Sequence, residues 1–259
     1  MLKTPNIEVV GIDPGRSNII YAVKVTVTGA VQASRLTRNQ YYRESGILRA
    51  RTRTENWHRG IQYVLDTLSA SSPKGADLGN FTKYLKTVLE QYDTLWNEYL
   101  KPRWANQRMR LYGGKKRVFA KFFNGLVSKG KKTVVAYGAA KFAPGGKGEM
   151  AAPTSRAFKE CSYRFLTVPV DEFRTTKMYN GDKQTVLKAV QRRDTGATVR
   201  GLLWCDSTKD QSKFVNRDLN AALNIRDCFM ARSRPAMLSR SANNNMKRVQ
   251  VVTGRIINC

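Results

Sequence analysis

GIDPGRSN, residues 11–18, decides how this chain is read. It follows a largely β-branched and apolar stretch, residues 7–10, so a strand runs into a turn made of Pro14 and Gly15. Asp13 sits at that corner. An aspartate before Pro-Gly is either an ordinary turn former or a carboxylate placed to hold a hard cation. Working outward, IIYAVKVT (19–26) and AVQASRLT (30–37) are also strand-like, and the links PGRSN and TGA are short. Links of that length predict antiparallel hairpins.

Residues 55–128 change period. Ile61, Val64, Leu65 and Leu68 recur at helical spacing. Leu78, Phe81, Leu85, Val88, Tyr92, Leu95 and Tyr99 continue it and predict one long amphipathic helix stopped near Pro102. A basic helical stretch follows, with Val118, Phe119, Phe122, Phe123 and Leu126 on its apolar face. Trp57, Trp96 and Trp104 suit helix–helix packing, with base stacking as the other use of such rings. TVVAYG (133–138) is a short buried-type strand, APGGKGEMAAP (143–153) a flexible loop, 154–161 a short helix and YRFLTVPV (163–170) a strand ending in Asp171-Glu172. Residues 174–214 read as polar and irregular. A last helix opens at NRDLNAALNIRDCF (216–229), with Asn216 as its N-cap. Residues 232–259 read as a basic, flexible tail. Three antiparallel strands followed by strand–helix alternation predict a mixed sheet with helices on its faces.

Charge narrows the function classes. The 259 residues hold 46 Lys+Arg against 19 Asp+Glu, a net charge of +27. Such a field draws polyanions, and nucleic acid is the default partner. At 41% hydrophobic the chain can bury a sizeable core. No apolar run reaches the roughly 20 residues a membrane helix needs. Cys161, Cys205, Cys228 and Cys259 form no C-x-x-C pair and no disulfide framework, which points to an intracellular, reducing setting.

Three acids stand out in so basic a chain: Asp13 at the end of the first strand, Glu172 at the end of the last, and Asp218 in the first turn of the final helix. Each has a structural use of its own, as turn former, solvated strand end and helix-dipole partner. Together, beside a phosphate-binding surface, they would repel the ligand unless a cation lay between. Carboxylates collected at one sheet edge suit Mg²⁺ or Mn²⁺, and two such ions suit phosphodiester hydrolysis.

GIDPGRSN, VDEFRTTKM (170–178) and NRDLNAALNI (216–225) resemble the RuvC-like, RNase H-like nuclease core of the TnpB/Fanzor family, transposon-associated RNA-guided DNA endonucleases. The resemblance spans roughly residues 7–230, including the helical insertion, so 1–231 would form one nuclease domain. RD-x-N-A-A-x-N-I is the most specific part. D-P-G and the V-D-E-F-x-T-T-K segment resemble the Fanzor branch, whose middle acid is a glutamate on the later segment. That matches Glu172, since the earlier strand ends in YGAAKF without an acid. The resemblance therefore implies Asp13, Glu172 and Asp218 as catalytic metal ligands, with Asp171 as the fallback. DNA and a guide RNA would be the partners, and a nucleus or viral factory the location. Arg16, Arg174, Lys177 and Arg217 flank the acids and are candidates for phosphate contact.

Two departures shape the expectation. The family's two C-x-x-C pairs read here as Tyr179-Asn-Gly-Asp182 and Cys205-Asp-Ser-Thr208. Zinc wants four Cys/His-type ligands, so no structural zinc is expected and 178–213 would be mobile or packed by other means. About six residues precede the first strand, where the family carries a recognition lobe, so a separate recognition subunit or a homodimer is a possible complement. The alternatives are a catalytically idle nucleic-acid-binding remnant and a Holliday-junction resolvase of the same fold.

Overall fold

A computed structural model of the chain describes residues 6–71, 77–139, 151–206 and 212–240. It divides into two compact units, Gln40–Val118 and the rest of the chain.

The larger unit is built on a five-stranded mixed sheet of order β3-β2-β1-β4-β5. The strands are β1 (Ile7–Pro14), β2 (Asn18–Val25), β3 (Val31–Thr37), β4 (Lys132–Gly138) and β5 (Leu166–Val170). β1–β2 and β2–β3 are antiparallel, as the short links require, while β1–β4 and β4–β5 are parallel. β1 is central and buried from Glu8 onward, which is why it reads as a continuous run rather than an alternation. Ile12, Ile19 and Ile20 are fully buried, each contributing about 1.5–3 kcal/mol of transfer free energy before the entropy of ordering is set against it.

The helices of this unit are best placed from the pleat. Ala136 packs with Ile225 of a C-terminal helix, whereas its neighbour Tyr137 meets Phe158 edge-on, ring centroids 5.1 Å apart. Adjacent strand residues point to opposite faces. The helix that holds Ile225 (Arg217–Met230) therefore covers one face, and the helix that holds Phe158 (Thr154–Ser162) covers the other. Asn216 does cap the C-terminal helix, its side-chain oxygen accepting from the Leu219 amide at 3.0 Å, a cap worth about 1 kcal/mol. The helix lies close on β1 because of Gly11, where any Cβ would run into the Ala222 carbonyl and Arg226.

The smaller unit is helical, but not as the periodicity predicts. Helices begin earlier, with α1 (Arg38–Glu44) and α2 (Ile47–His58), followed by α3 (Gln62–Ala70), α4 (Leu78–Glu90), α5 (Tyr92–Tyr99) and α6 (Pro102–Asn124), whose last turn belongs to the larger unit. α1 and α2 lack an apolar stripe, burying only Tyr41 and Ala50. They are supported instead by polar pairs at i,i+4, Gln40–Glu44 and Arg51–Glu55. The single long helix expected over 78–99 breaks at Gln91, whose backbone is not helical (φ −100°, ψ 4°); much of the predicted stripe, Leu78, Phe81, Leu85 and Tyr92, is exposed. Pro102 starts α6 rather than merely ending a helix, at the position where its missing N–H costs nothing. Trp57 and Trp104 pack edge-on with centroids 4.9 Å apart, while Trp96 is 54% exposed and stacks on Tyr92.

α7 (Thr154–Ser162) and α8 (Arg217–Met230) complete the helices. Residues 174–214 are not irregular. They hold a three-stranded antiparallel sheet, β6 (Lys188–Gln191), β7 (Thr198–Cys205) and β8 (Lys213–Asn216), ordered β6-β7-β8. The start of the segment is clasped onto α8. Asn220 and Asn224, four residues apart and buried, both donate to the carbonyls of Thr175 and Met178. Asn180 bonds both asparagines and Asp227 in turn. The predicted loose tail is also packed at its start: Leu238 is fully buried and Arg240 is held by Asp171. The rest of the tail (241–259) and most of the loop at 143–153 lie outside the described residues.

Candidate functional site

The pleat also decides which acids meet. Asp13 lies two residues beyond Gly11 on β1, so it shares the face covered by α8. Glu172 stands in the same relation to Val170, which packs against Ile225 of α8. Asp218 is in the first turn of α8 itself. Three carboxylates are thereby brought to one face at the carboxyl ends of β1 and β5, the edge where open sheets with parallel strands place their ligands.

The three acids act on one another electrostatically. Asp13 is only 6% exposed. Burial raises its carboxyl well above the usual range, and the charges of Glu172 and Asp218 raise it further, with Arg217 opposing. Asp218 is held on both oxygens: Asn18 donates to one at 2.6 Å and the Arg217 guanidinium pairs with the other at 3.1 Å. The position of Glu172 is set by a neighbour that has no side chain. A Cβ on Gly138 would run into the Glu172 carboxylate and come within 2.8 Å of Pro14 Cδ. The carboxylate thus occupies the space in front of Gly138, the end of β4 where the sequence offers no acid.

Asp171 points elsewhere. Its carboxylate is bidentate to Arg240 at 2.9 and 3.1 Å and its carbonyl accepts from Arg234 at 2.6 Å. The Arg240 hydrogen bonds hold its carboxyl below the ordinary value. The opposite orientation of neighbours on the strand separates it from Glu172, and its pairing with Arg240 leaves it a poor fallback ligand.

Among the four basic candidates, Arg16 is exposed in the β1–β2 turn and Lys177 is exposed after β5. Arg174 is half-buried in a left-handed backbone conformation, φ 58°. Arg217 is exposed but spends its guanidinium on Asp218. Asn18 and Gly138 were missed by sequence reasoning. Asn18 stands within GIDPGRSN, and the absence of an acid at 138 was itself the signal for Gly138.

Among the described residues, no three His, Cys, Asp or Glu side chains are gathered closely enough to form a ready-made metal cage. The acids lie within electrostatic range of one another without closing on a common point. Their chemistry nevertheless fits a hard cation: oxygen donors only, one of them buried and raised by its like-charged neighbours. A divalent ion would relieve that repulsion. Of the residues at the expected C-x-x-C positions, Asp182 accepts the amides of Gln184 and Thr185, and Cys205 is buried at the end of β7. No helix among the described residues is long and apolar enough to cross a membrane.

The chain matches no protein-family model and no curated protein.

Proposed function

We propose that the chain is an RNase H-like (RuvC-like), divalent-metal-dependent DNA endonuclease core of the TnpB/Fanzor type, with Asp13, Glu172 and Asp218 as its catalytic carboxylates. The observation that carries the reading is the convergence of these three acids on the α8 face of the sheet edge, with Glu172 lodged against Gly138. Mg²⁺ or Mn²⁺ held there would supply an activated water and neutralise charge on the leaving oxygen. The chain's own residues do the remaining work. Asn18 fixes one oxygen of Asp218, and Arg217 balances its charge. Arg16, Arg174 and Lys177 orient the phosphate backbone, and the +27 field concentrates it.

A second reading, an idle nucleic-acid-binding remnant, is favoured by one feature: Arg217 and Asn18 already occupy both oxygens of Asp218. Incubation with labelled single-stranded and duplex DNA in Mn²⁺ separates the two. The nuclease reading expects cleavage by the parent, its loss in Asp13→Ala and Glu172→Ala, and its survival in Asp171→Ala. Tight, salt-sensitive binding without cleavage by the parent would favour the remnant.

A further inference from the structure

The helical unit carries a groove that the carboxylate site does not use. Two adjoining cavities, of about 480 and 310 Å³, lie between α2, α6 and the end of α1, wholly within Gln40–Val118. Their walls share Arg53, Gln107 and Arg110. The lining follows from helix periodicity. Arg49 and Arg53 are one turn apart on α2, and Gln107, Arg110 and Arg117 fall on one stripe of α6.

Arg43, Arg49, Arg53, Arg110 and Arg117 are all exposed at this groove. None of the five makes an ion pair with another described residue. By contrast, Arg51 on the same helix pairs with Glu55, and Arg103 with Glu98. The acid in the wall, Glu44, takes the side-chain amide of Gln40. Five unneutralised guanidiniums around one concavity repel each other, and a polyanion removes that repulsion. Their planar forks match phosphate oxygens.

A second observation points the same way. Gln107 is 8% exposed and donates its amide to Thr54 Oγ1 at 2.9 Å. Its carbonyl oxygen is buried and has no hydrogen-bond partner. A buried acceptor is costly to leave unmet. A sugar hydroxyl or an exocyclic amine of a ligand would meet it, and a bare anion or a carboxylate-rich peptide side chain would not. Trp57 lines the second cavity with Arg103 over its ring, 5.0 Å from the centroid.

We infer that this groove binds the sugar–phosphate backbone of a nucleic-acid strand, so that the helical unit is a nucleic-acid-binding surface in its own right. The binding needs no metal and none of the three carboxylates. It therefore stands whether or not the chain cuts DNA.

The test is fluorescence anisotropy of the full chain with labelled single-stranded RNA and DNA of mixed sequence, in EDTA, over a salt series. The parent is compared with the triple variant Arg49→Gln/Arg53→Gln/Arg110→Gln. A control triple, Arg59→Gln/Arg108→Gln/Lys116→Gln, removes the same charge from elsewhere in the unit. Each lost phosphate contact should lower the slope of log affinity against log salt by about 0.7 for a single strand. The groove triple should thus lose about two units of slope and roughly tenfold or more in affinity, with the control near the parent. Should the triple not fold, Arg53→Gln and Arg110→Gln singly should each lose about 0.7 of slope. Equal losses in the two triples would overturn the proposal, because the general field would then explain binding. So would labelled poly-glutamate that binds the parent as tightly as the oligonucleotides and loses affinity in the groove triple. Because metal is absent from the assay, failure to cleave DNA leaves this result untouched.

Discussion

The carboxylate of Glu172 occupies the space that a side chain on Gly138 would need. β4 and β5 pair Gly138 with Val170, so the strand that lacks an acid and the strand end that supplies one are hydrogen-bonded neighbours. The end of β4 is thus faced by a carboxylate that the end of β5 supplies.

That relation makes a swap testable. Gly138→Ala should push the Glu172 carboxylate aside and lower DNA cleavage by about 10²-fold, the cost of roughly ångström-scale misplacement. Its melting temperature should fall less than that of Gly11→Ala, because the closest atoms belong to the flexible end of Glu172 and only Pro14 Cδ, at 2.8 Å, is part of a rigid group, whereas at Gly11 the closest atom is backbone. Gly138→Asp combined with Glu172→Gly supplies an acid from β4 instead of β5 and should recover part of the activity lost in Glu172→Gly alone. Cleavage rates in Mn²⁺ decide it, and a double variant as inert as the single one counts against the spatial equivalence.

Gly11→Ala tests the seating of α8. The new Cβ meets backbone, the Ala222 carbonyl, and not a pliable side-chain tip. Overpacking of this kind costs about 1–3 kcal/mol, read as a lower urea midpoint. Cleavage should fall with it, since α8 carries Asp218.

Two adjacent glycines in α6 should respond with opposite signs. Replacing a mid-helix glycine by alanine gains about 1 kcal/mol from propensity alone. At Gly113 a Cβ would meet only the Arg117 guanidinium at 3.5 Å, so Gly113→Ala should stabilise. At Gly114 it would strike the carbonyl of Ser45, so Gly114→Ala should destabilise by about 1–3 kcal/mol despite the same propensity gain. Urea unfolding of the two variants checks both.

Glu98 supplies a pH dependence. Burial raises its carboxyl, but hydrogen bonds from Lys101, Arg103 and Trp104 outweigh burial and bring it down from 4.5 to about 2. A carboxylate lowered on folding stabilises the native state above its unfolded value and loses that contribution as pH falls toward the folded one. The parent should therefore be more stable than Glu98→Gln near neutrality. The gap should shrink below pH 4.5 and close near about 2, as followed by urea midpoints across that window.

The sheet was legible because its first three strands alternate with turns too short for anything but hairpins, and β1 announced its central place by the apolar run Val9-Val10-Gly11-Ile12. The three acids were legible as strand and helix ends. Asn18 was not, because its bond to Asp218 spans 200 residues of sequence. Residues 174–214 misled because β6 and β8 are short and mostly exposed, and β7 between them, TVRGLLWC, is half-buried without a regular alternation of apolar side chains. α1 and α2 were hidden for the same reason: their support is polar and at i,i+4, and apolar periodicity does not register it.

The asparagine clasp on α8 changes what NRDLNAALNI is evidence of. Asn220 and Asn224 spend their amides on the carbonyls of Thr175 and Met178. Ala221 and Ala222 are fully buried, with Ala222 backing onto Gly11. Of the motif's residues, Asp218 and the Arg217 that pairs with it take no part in this fastening work. The string is therefore a signature of assembly. A chain that had given up catalysis would still need it to fasten the segment after β5, and would carry it unbroken. Whether such a chain cuts is told by Asp13, Glu172 and Asp218, and hardly at all by the other nine letters of the string that makes the resemblance easiest to see.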